Sequence, residues 1–453
     1  MSSRGRSGGL AIAAGVVVTG LLVVTARGPA DGGGWRLAFV AVHLAGAALS
    51  AWYVGRGPLS RRTVILGAIA FRVCALPMLP TLSDDGYRYL WDGRVSVEAG
   101  VSPYEFRPSD PELARWHGTA EYRRMNSPDY YSVYPPGSQA MFALAVKLAP
   151  GADWRAGWWT WKLLMVAAEL TAILLLLRLV SPQATALYAW SPLAVVEVAG
   201  QGHTEALVLA GLAAALVATV GARRSWPVAS VGLTFAGAVK LYPLGLLPVA
   251  WRREGWRGVA ASAVLLGGLS ALFWSPQALA NAAESLGLFF GTFDEYAGPY
   301  RAVKAVLYPV LGEGAGAGAS RLLALAFASG AAWTWLVDDG TGRALQRAVI
   351  VVTVGFAVAS STLHPWYGLP VLFVLPLLRL KIIWWVVTWA TAGYATYAFP
   401  GLDVPVLIVG WGGGLIVWGL GRYRATGRPL GGRRRPSPTT RPTTSPRDSV
   451  GTT

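Results

Sequence analysis

Two adjacent carboxylates, Asp84 and Asp85, follow an apolar run at 64–79 and open the most unusual polar stretch in the chain. It reads Ser83-Asp84-Asp85-Gly86-Tyr87-Arg88-Tyr89-Leu90-Trp91-Asp92-Gly93-Arg94, then Gly100-Val101-Ser102-Pro103-Tyr104. A carboxyl group at the margin of an apolar segment loses hydration, which raises its pKa and suits it to take a proton from a hydroxyl. On a helix starting near Asp84, Arg88 falls one turn on and is placed to pair with it, while Asp85, Tyr89 and Asp92 share a neighbouring face. A plainer role suits the same pair, with Ser83 or Asp84 as N-cap and Asp85 as a first-turn acid favoured by the helix dipole. One Asp can cap while the other works.

Further polar groups interrupt later apolar segments. Glu197 and Glu205 flank Gln201-Gly202-His203, and Lys240-Leu241-Tyr242-Pro243 sits inside an apolar hairpin. Arg301 and Lys304 follow Tyr300, and His364 precedes Pro365-Trp366-Tyr367. Ionisable groups within membrane segments are costly to hold and are therefore candidates for function. Singly, each has a structural alternative: Lys240 can snorkel, and His364 can anchor at an interface beside Trp366. Asp84, Asp85, His203, Glu205 and His364 could ligate a metal, but no paired-His spacing falls on one helical turn. No metal site and no cofactor is expected.

These groups must be positioned by membrane helices. Of 453 residues, 54% are hydrophobic and 14% charged, with mean hydropathy +0.44; soluble domains carry about 25% charged residues. Apolar runs recur at 10–24, 37–54, 64–79, 158–177, 206–220, 260–274, 322–337, 348–363, 366–378, 382–399 and 404–420. The longer ones approach the roughly 20 residues a helix needs to cross a bilayer, and abundant Gly and Pro suit a transmembrane bundle. The net charge of +16 does not indicate nucleic acid, because Arg gathers in short loops and the C-terminal tail, the pattern of cytoplasmic segments near anionic lipid. The lone Cys74 excludes a disulfide framework. The first apolar run lacks a convincing cleavage site and reads as a retained helix.

Charge bookkeeping places both termini in the cytoplasm. It sends 81–136 outside as a large extracytoplasmic loop and collects Asp84, Asp85, Gln201, His203, Lys240 and His364 toward that face. The segment 226–251 is too short for two full spans and is expected to form two shorter helices broken at Lys240-Leu241-Tyr242-Pro243. Parity makes 137–149 an interfacial or re-entrant helix. The expected organisation is a membrane domain over 1–421 and a disordered basic cytoplasmic tail over 422–453.

The loop resembles that of the polytopic glycosyltransferases of the GT-C fold. The similarity is closest to bacterial family 87 polyprenyl-phosphate-mannose-dependent mannosyltransferases and the related glycosylphosphatidylinositol mannosyltransferases. It rests on Asp84-Asp85, the Tyr87–Arg94 motif, Gly100-x-x-Pro103-Tyr104, Tyr134-Pro135-Pro136-Gly137, Gln201-Gly202-His203, Lys240-Leu241-Tyr242-Pro243 and His364-Pro365-Trp366-Tyr367, in the family's order. It covers roughly 80–370. Where many relatives carry Asp after Gln-Gly, this chain has His203 and Glu205.

The resemblance implies an all-α polytopic bundle of roughly 11–13 transmembrane helices in the plasma membrane, with its active site on the extracytoplasmic face. The implied reaction moves a sugar, with inversion, from a polyprenyl-phosphate donor to a hydroxyl of a lipid-linked or glycan acceptor. Asp84 or Asp85 would be the base, and Lys240, Arg301 or a helix N-terminus would stabilise the departing phosphate. Tyr87, Trp91, Tyr104 and Tyr367 would stack on sugar, and Arg88, Asp92, Gln201, His203, Glu205, Tyr242 and His364 would complete the substrate site. A lipid or small-solute transporter is the alternative, motivated by the broken hairpin, and an oligosaccharide ligase using a pyrophosphate donor is a third reading.

Overall fold

A computed structural model describes residues 3–28, 32–149, 151, 153–220, 227–292, 294–378 and 381–426. The protein is an all-α polytopic membrane protein, with no strand among the described residues. Three described helices, Gly8–Ala26, Gly33–Gly55 and Gly342–Ala359, are long and apolar enough to cross a membrane by length and composition. A fourth candidate is a pair, Pro192–Gly200 and Glu205–Thr219, bent by 116° at the break between them.

The break in that pair has a local cause. Gly202 sits at φ +70, where a β-carbon is disfavoured, and a β-carbon there would also lie 2.9 Å from both Trp158 and Trp161. The Trp161 indole N–H donates to the Gly202 carbonyl at 2.7 Å, so the break is held as well as permitted.

Helix Trp154–Leu179 spans 26 residues but carries Lys162 and Glu169 in its interior, both fully buried. Each is matched by a partner. Arg72 of helix Arg61–Ala75 gives Glu169 two bonds of 2.8 Å from Nε and Nη2, and Tyr188 adds a third at 2.8 Å. The Lys162 ammonium donates to the carbonyls of Leu76 and Met78. Both carbonyls lie just past the end of helix Arg61–Ala75, and the Trp158 indole N–H also reaches the Met78 carbonyl at 3.4 Å, so Lys162 helps fix the chain leading to Asp84.

The 226–251 segment breaks where expected. Helix Val228–Val239 ends at Lys240, whose backbone is extended, and the chain continues through the turn Tyr242–Leu246 into Leu247–Glu254. Close packing at glycine seats the first half: a β-carbon on Gly211 would lie 2.4 Å from the Gly232 carbonyl oxygen, the small-residue contact typical of membrane helices. Helix Pro136–Leu148 has 13 residues, about 20 Å at 1.5 Å each, too short to cross. Its Phe142 carbonyl lies 2.4 Å from where a β-carbon on Gly93 would be, which presses it against helix Asp85–Arg94. The final helix runs Gly413–Thr426. The expected tail beyond residue 426 lies outside the described residues, as do Arg223, Arg224 and Arg379.

Candidate active site

Three segments converge on one cavity of about 1460 Å³: the turn into helix Asp85–Arg94, the Lys240 break, and the short turn after His364. Asp84, Asp85, Lys240, Tyr242, His364, Trp366 and Tyr367 all line it.

The approach to the carboxylates is tied down from behind. The Gln201 carboxamide oxygen accepts the backbone N–H groups of Leu82 (3.1 Å) and Ser83 (3.4 Å), and its amide donates to the Leu79 carbonyl at 3.1 Å. Asp84 occupies the N-cap position without capping through its side chain. The Ser83 hydroxyl instead accepts the Asp85 N–H at 3.3 Å. Asp84 accepts from the Asn126 amide at 2.7 Å. Asp85 receives only a long contact, 3.5 Å, from the Tyr89 hydroxyl.

Burial is the main cause that raises the Asp85 carboxyl, to about 7; the neighbouring Asp84 charge adds to it and the Lys240 cation opposes it. Asp84 is raised too, again chiefly by burial. Lys240 bonds Glu205 at 2.9 Å and lies 4.6 Å from the Tyr367 ring centre. His364 stacks on Trp366 at 4.4 Å, with His203 on the same indole at 4.0 Å. The lining also includes apolar side chains, Leu241, Ala324, Phe327, Phe356 and Ala359, with Phe356 stacked on Tyr242 at 4.5 Å.

A half-buried carboxyl group held near neutrality, beside a cation and in a cavity of mixed polar and apolar lining, suits proton abstraction from a hydroxyl. Residues 3–253 match the model of the alpha-(1→6)-mannopyranosyltransferase family, N-terminal domain. The chain belongs to this family. It is a membrane mannosyltransferase, as the loop motifs imply. No curated protein and no solved structure matches it.

Several candidates of this mannosyltransferase stand behind the cavity wall, whereas Arg88 lines it. The expected Asp84–Arg88 pair does not form. Arg88 turns to Asp92 at 2.7 Å and donates to the Ser127 and Tyr130 carbonyls at 2.8 and 3.1 Å, because that route satisfies the guanidinium while Asp84 is taken by Asn126. Asp92 also accepts from Ser132 (2.6 Å) and Gln139 (2.9 Å). Asp92 and Arg88 thus staple the returning segment of the loop onto the helix. His203 is fully buried, with Nε2 3.3 Å from Glu197, and Glu205 reaches the cavity through Lys240.

Tyr87 packs on Trp154, Trp91 packs on Tyr122 and is buried, and the Tyr104 hydroxyl donates to the Tyr134 carbonyl at 2.5 Å. None of these three lines the cavity. Nor does Arg301, which is held by Asp294 at 2.6 Å and Asp403 at 3.0 Å.

The cavity also takes in groups that motif reading passes over: Arg27, Arg36, Asn126, Glu295 and Tyr397. The Tyr397 hydroxyl donates to Glu295 at 3.4 Å, and Glu295 lies 3.6 Å from His364. Among the described residues, no three His, Cys, Asp or Glu side chains gather at metal-ligand spacing.

Proposed function

We propose that this protein transfers mannose from a polyprenyl-phosphate donor to a hydroxyl of a lipid-linked or glycan acceptor, with inversion at the anomeric carbon, and with Asp85 as base. The acceptor oxygen attacks the anomeric carbon and its proton passes to Asp85, while the bond to the phosphate oxygen breaks and its electron pair leaves with the polyprenyl phosphate. The family's description makes an α-(1→6) linkage the product to look for.

The observation that carries this reading is the mixed lining of one cavity, where Asp84, Asp85 and Lys240 stand together with Leu241, Phe327 and Phe356. A sugar on a lipid phosphate offers both a polar and an apolar part to such a lining, whereas a nucleotide sugar has no lipid chain. Asp85 is preferred to Asp84 as base because it keeps its lone pairs available, whereas Asn126 occupies Asp84.

By the charge pattern of its loops, the enzyme sits in the plasma membrane with both termini cytoplasmic and the 81–136 loop outside. His203, Glu205 and Gln201 support the substrate groups indirectly, and Tyr242, His364 and Tyr367 face substrate.

The test uses purified enzyme in lipid nanodiscs with either polyprenyl-phosphate-mannose or a nucleotide-linked mannose. Transfer from the lipid donor alone, with an inverted anomeric configuration by proton NMR, is the expected result. Transfer from the nucleotide sugar alone, or retention, would refute the proposal.

A further inference from the structure

Four Lys and Arg side chains line the cavity, and two of them have an acid of their own. Lys240 is paired with Glu205 and Arg88 with Asp92. Arg27 and Arg36 line the same cavity, and among the described residues neither forms an ion pair.

Arg36 is 6% exposed. Its Nη2 donates to the Thr81 carbonyl at 2.9 Å, while its buried Nε has no hydrogen-bond partner. A buried guanidinium with an idle donor is costly unless an anion completes it. Thr81 also donates its hydroxyl to the Ala26 carbonyl at 2.7 Å, so Arg27, Arg36 and the chain leading to Asp85 are tied into one unit. Thr81 and Asp85 are four residues apart, no more than about 14 Å of extended chain.

We propose that Arg27 and Arg36 hold the phosphate of the lipid-linked donor, and that Lys240 does not. The assignment rests on the lipid-phosphate reading above and deepens it. Lys240 is already bonded to Glu205, whereas Arg27 and Arg36 line the cavity unmatched and offer planar, directional donors to an anion. The donor phosphate is a diester with one negative charge. When the bond to the anomeric carbon breaks, the phosphate oxygen keeps the electron pair and the group becomes a monoester of higher charge. Arg27 and Arg36 would therefore bind the transition state and the product more tightly than the donor.

The probe is a polyprenyl monophosphate, with binding to the purified full-length protein measured without turnover and donor and acceptor KM measured separately. The Arg27→Gln/Arg36→Gln variant should bind the probe about 10–100-fold more weakly, with a raised donor KM and an unchanged acceptor KM. Because Arg36 also holds Thr81, Arg27→Gln alone keeps the test valid if the double variant unfolds; Arg27 takes part in no described side-chain hydrogen bond, and its loss should weaken the probe several-fold. Unchanged probe binding in the variants, or a raised acceptor KM with normal probe binding, would overturn the assignment; the latter would give the anion to the acceptor. Failure of the wild-type protein to bind the probe at all would instead strike the lipid-phosphate reading itself.

Discussion

Two charged clusters of this mannosyltransferase are built from similar residues and differ in how completely they are satisfied. At Arg72–Glu169 both side chains have zero exposure, Arg72 also donates to the Ala189 carbonyl at 2.6 Å, and Tyr188 completes the carboxylate. At the cavity, the Lys240 side chain is 18% exposed, one Glu205 oxygen and the Arg36 Nε lack partners, and Asp85 has a single long contact. The first cluster is closed and holds helices together. The second is left open toward a space large enough for a substrate. Burial alone does not separate structural charge from functional charge in a membrane bundle; incomplete pairing beside a cavity does.

The comparison can be broken in several ways. Asp85→Asn should lower mannosyl transfer about 10²–10⁴-fold while leaving thermal stability level, measured by initial rates and melting on the same preparation. Glu169→Ala should do the reverse, costing about 3–5 kcal/mol of stability by stranding Arg72, with turnover per folded molecule retained. Combining Arg72→Met with Glu169→Leu should restore most of that loss, as chemical denaturation in mixed micelles would show. Narrowing the cavity beside Phe327 with Ala324→Phe should raise KM about tenfold for a long-chain donor and little for a short-chain one. The smallest effect is expected from Asn126→Ala, which frees Asp84 and should cost about two- to fivefold in rate.

Much of this is legible in the sequence. Asp84-Asp85 after an apolar run, the hairpin break at Lys240, and the loop motif all follow from local composition and spacing. What escaped depends on contacts between residues far apart in sequence. Arg301 has Asp294 seven residues before it, but only the contact with Asp403, 102 residues on, completes its pairing. Arg36 reads as the edge of an apolar helix until its bond to Thr81, 45 residues away, brings it to the site. Arg88 had two acids within one turn, Asp84 and Asp92, and the choice was made by the carbonyls of Ser127 and Tyr130, which no helical spacing reveals. Likewise Tyr87 and Tyr104 carry the motif yet are consumed in packing, because an aromatic ring that stacks on sugar and one that stacks on Trp are the same residue in a sequence.

The central claim is that Asp85 is the base and works because its site holds its carboxyl near neutrality. The pH profile of kcat/KM for mannosyl transfer tests it most directly. A base acts when deprotonated, so the rate should climb with rising pH and level off near pH 7, where the Asp85 carboxyl loses its proton. Replacing Lys240 with Met removes the cation that favours the carboxylate, so the bend should move to higher pH. A profile that stays flat through neutrality in the wild type, or a bend that persists unchanged in the residual activity of Asp85→Asn, would contradict the account.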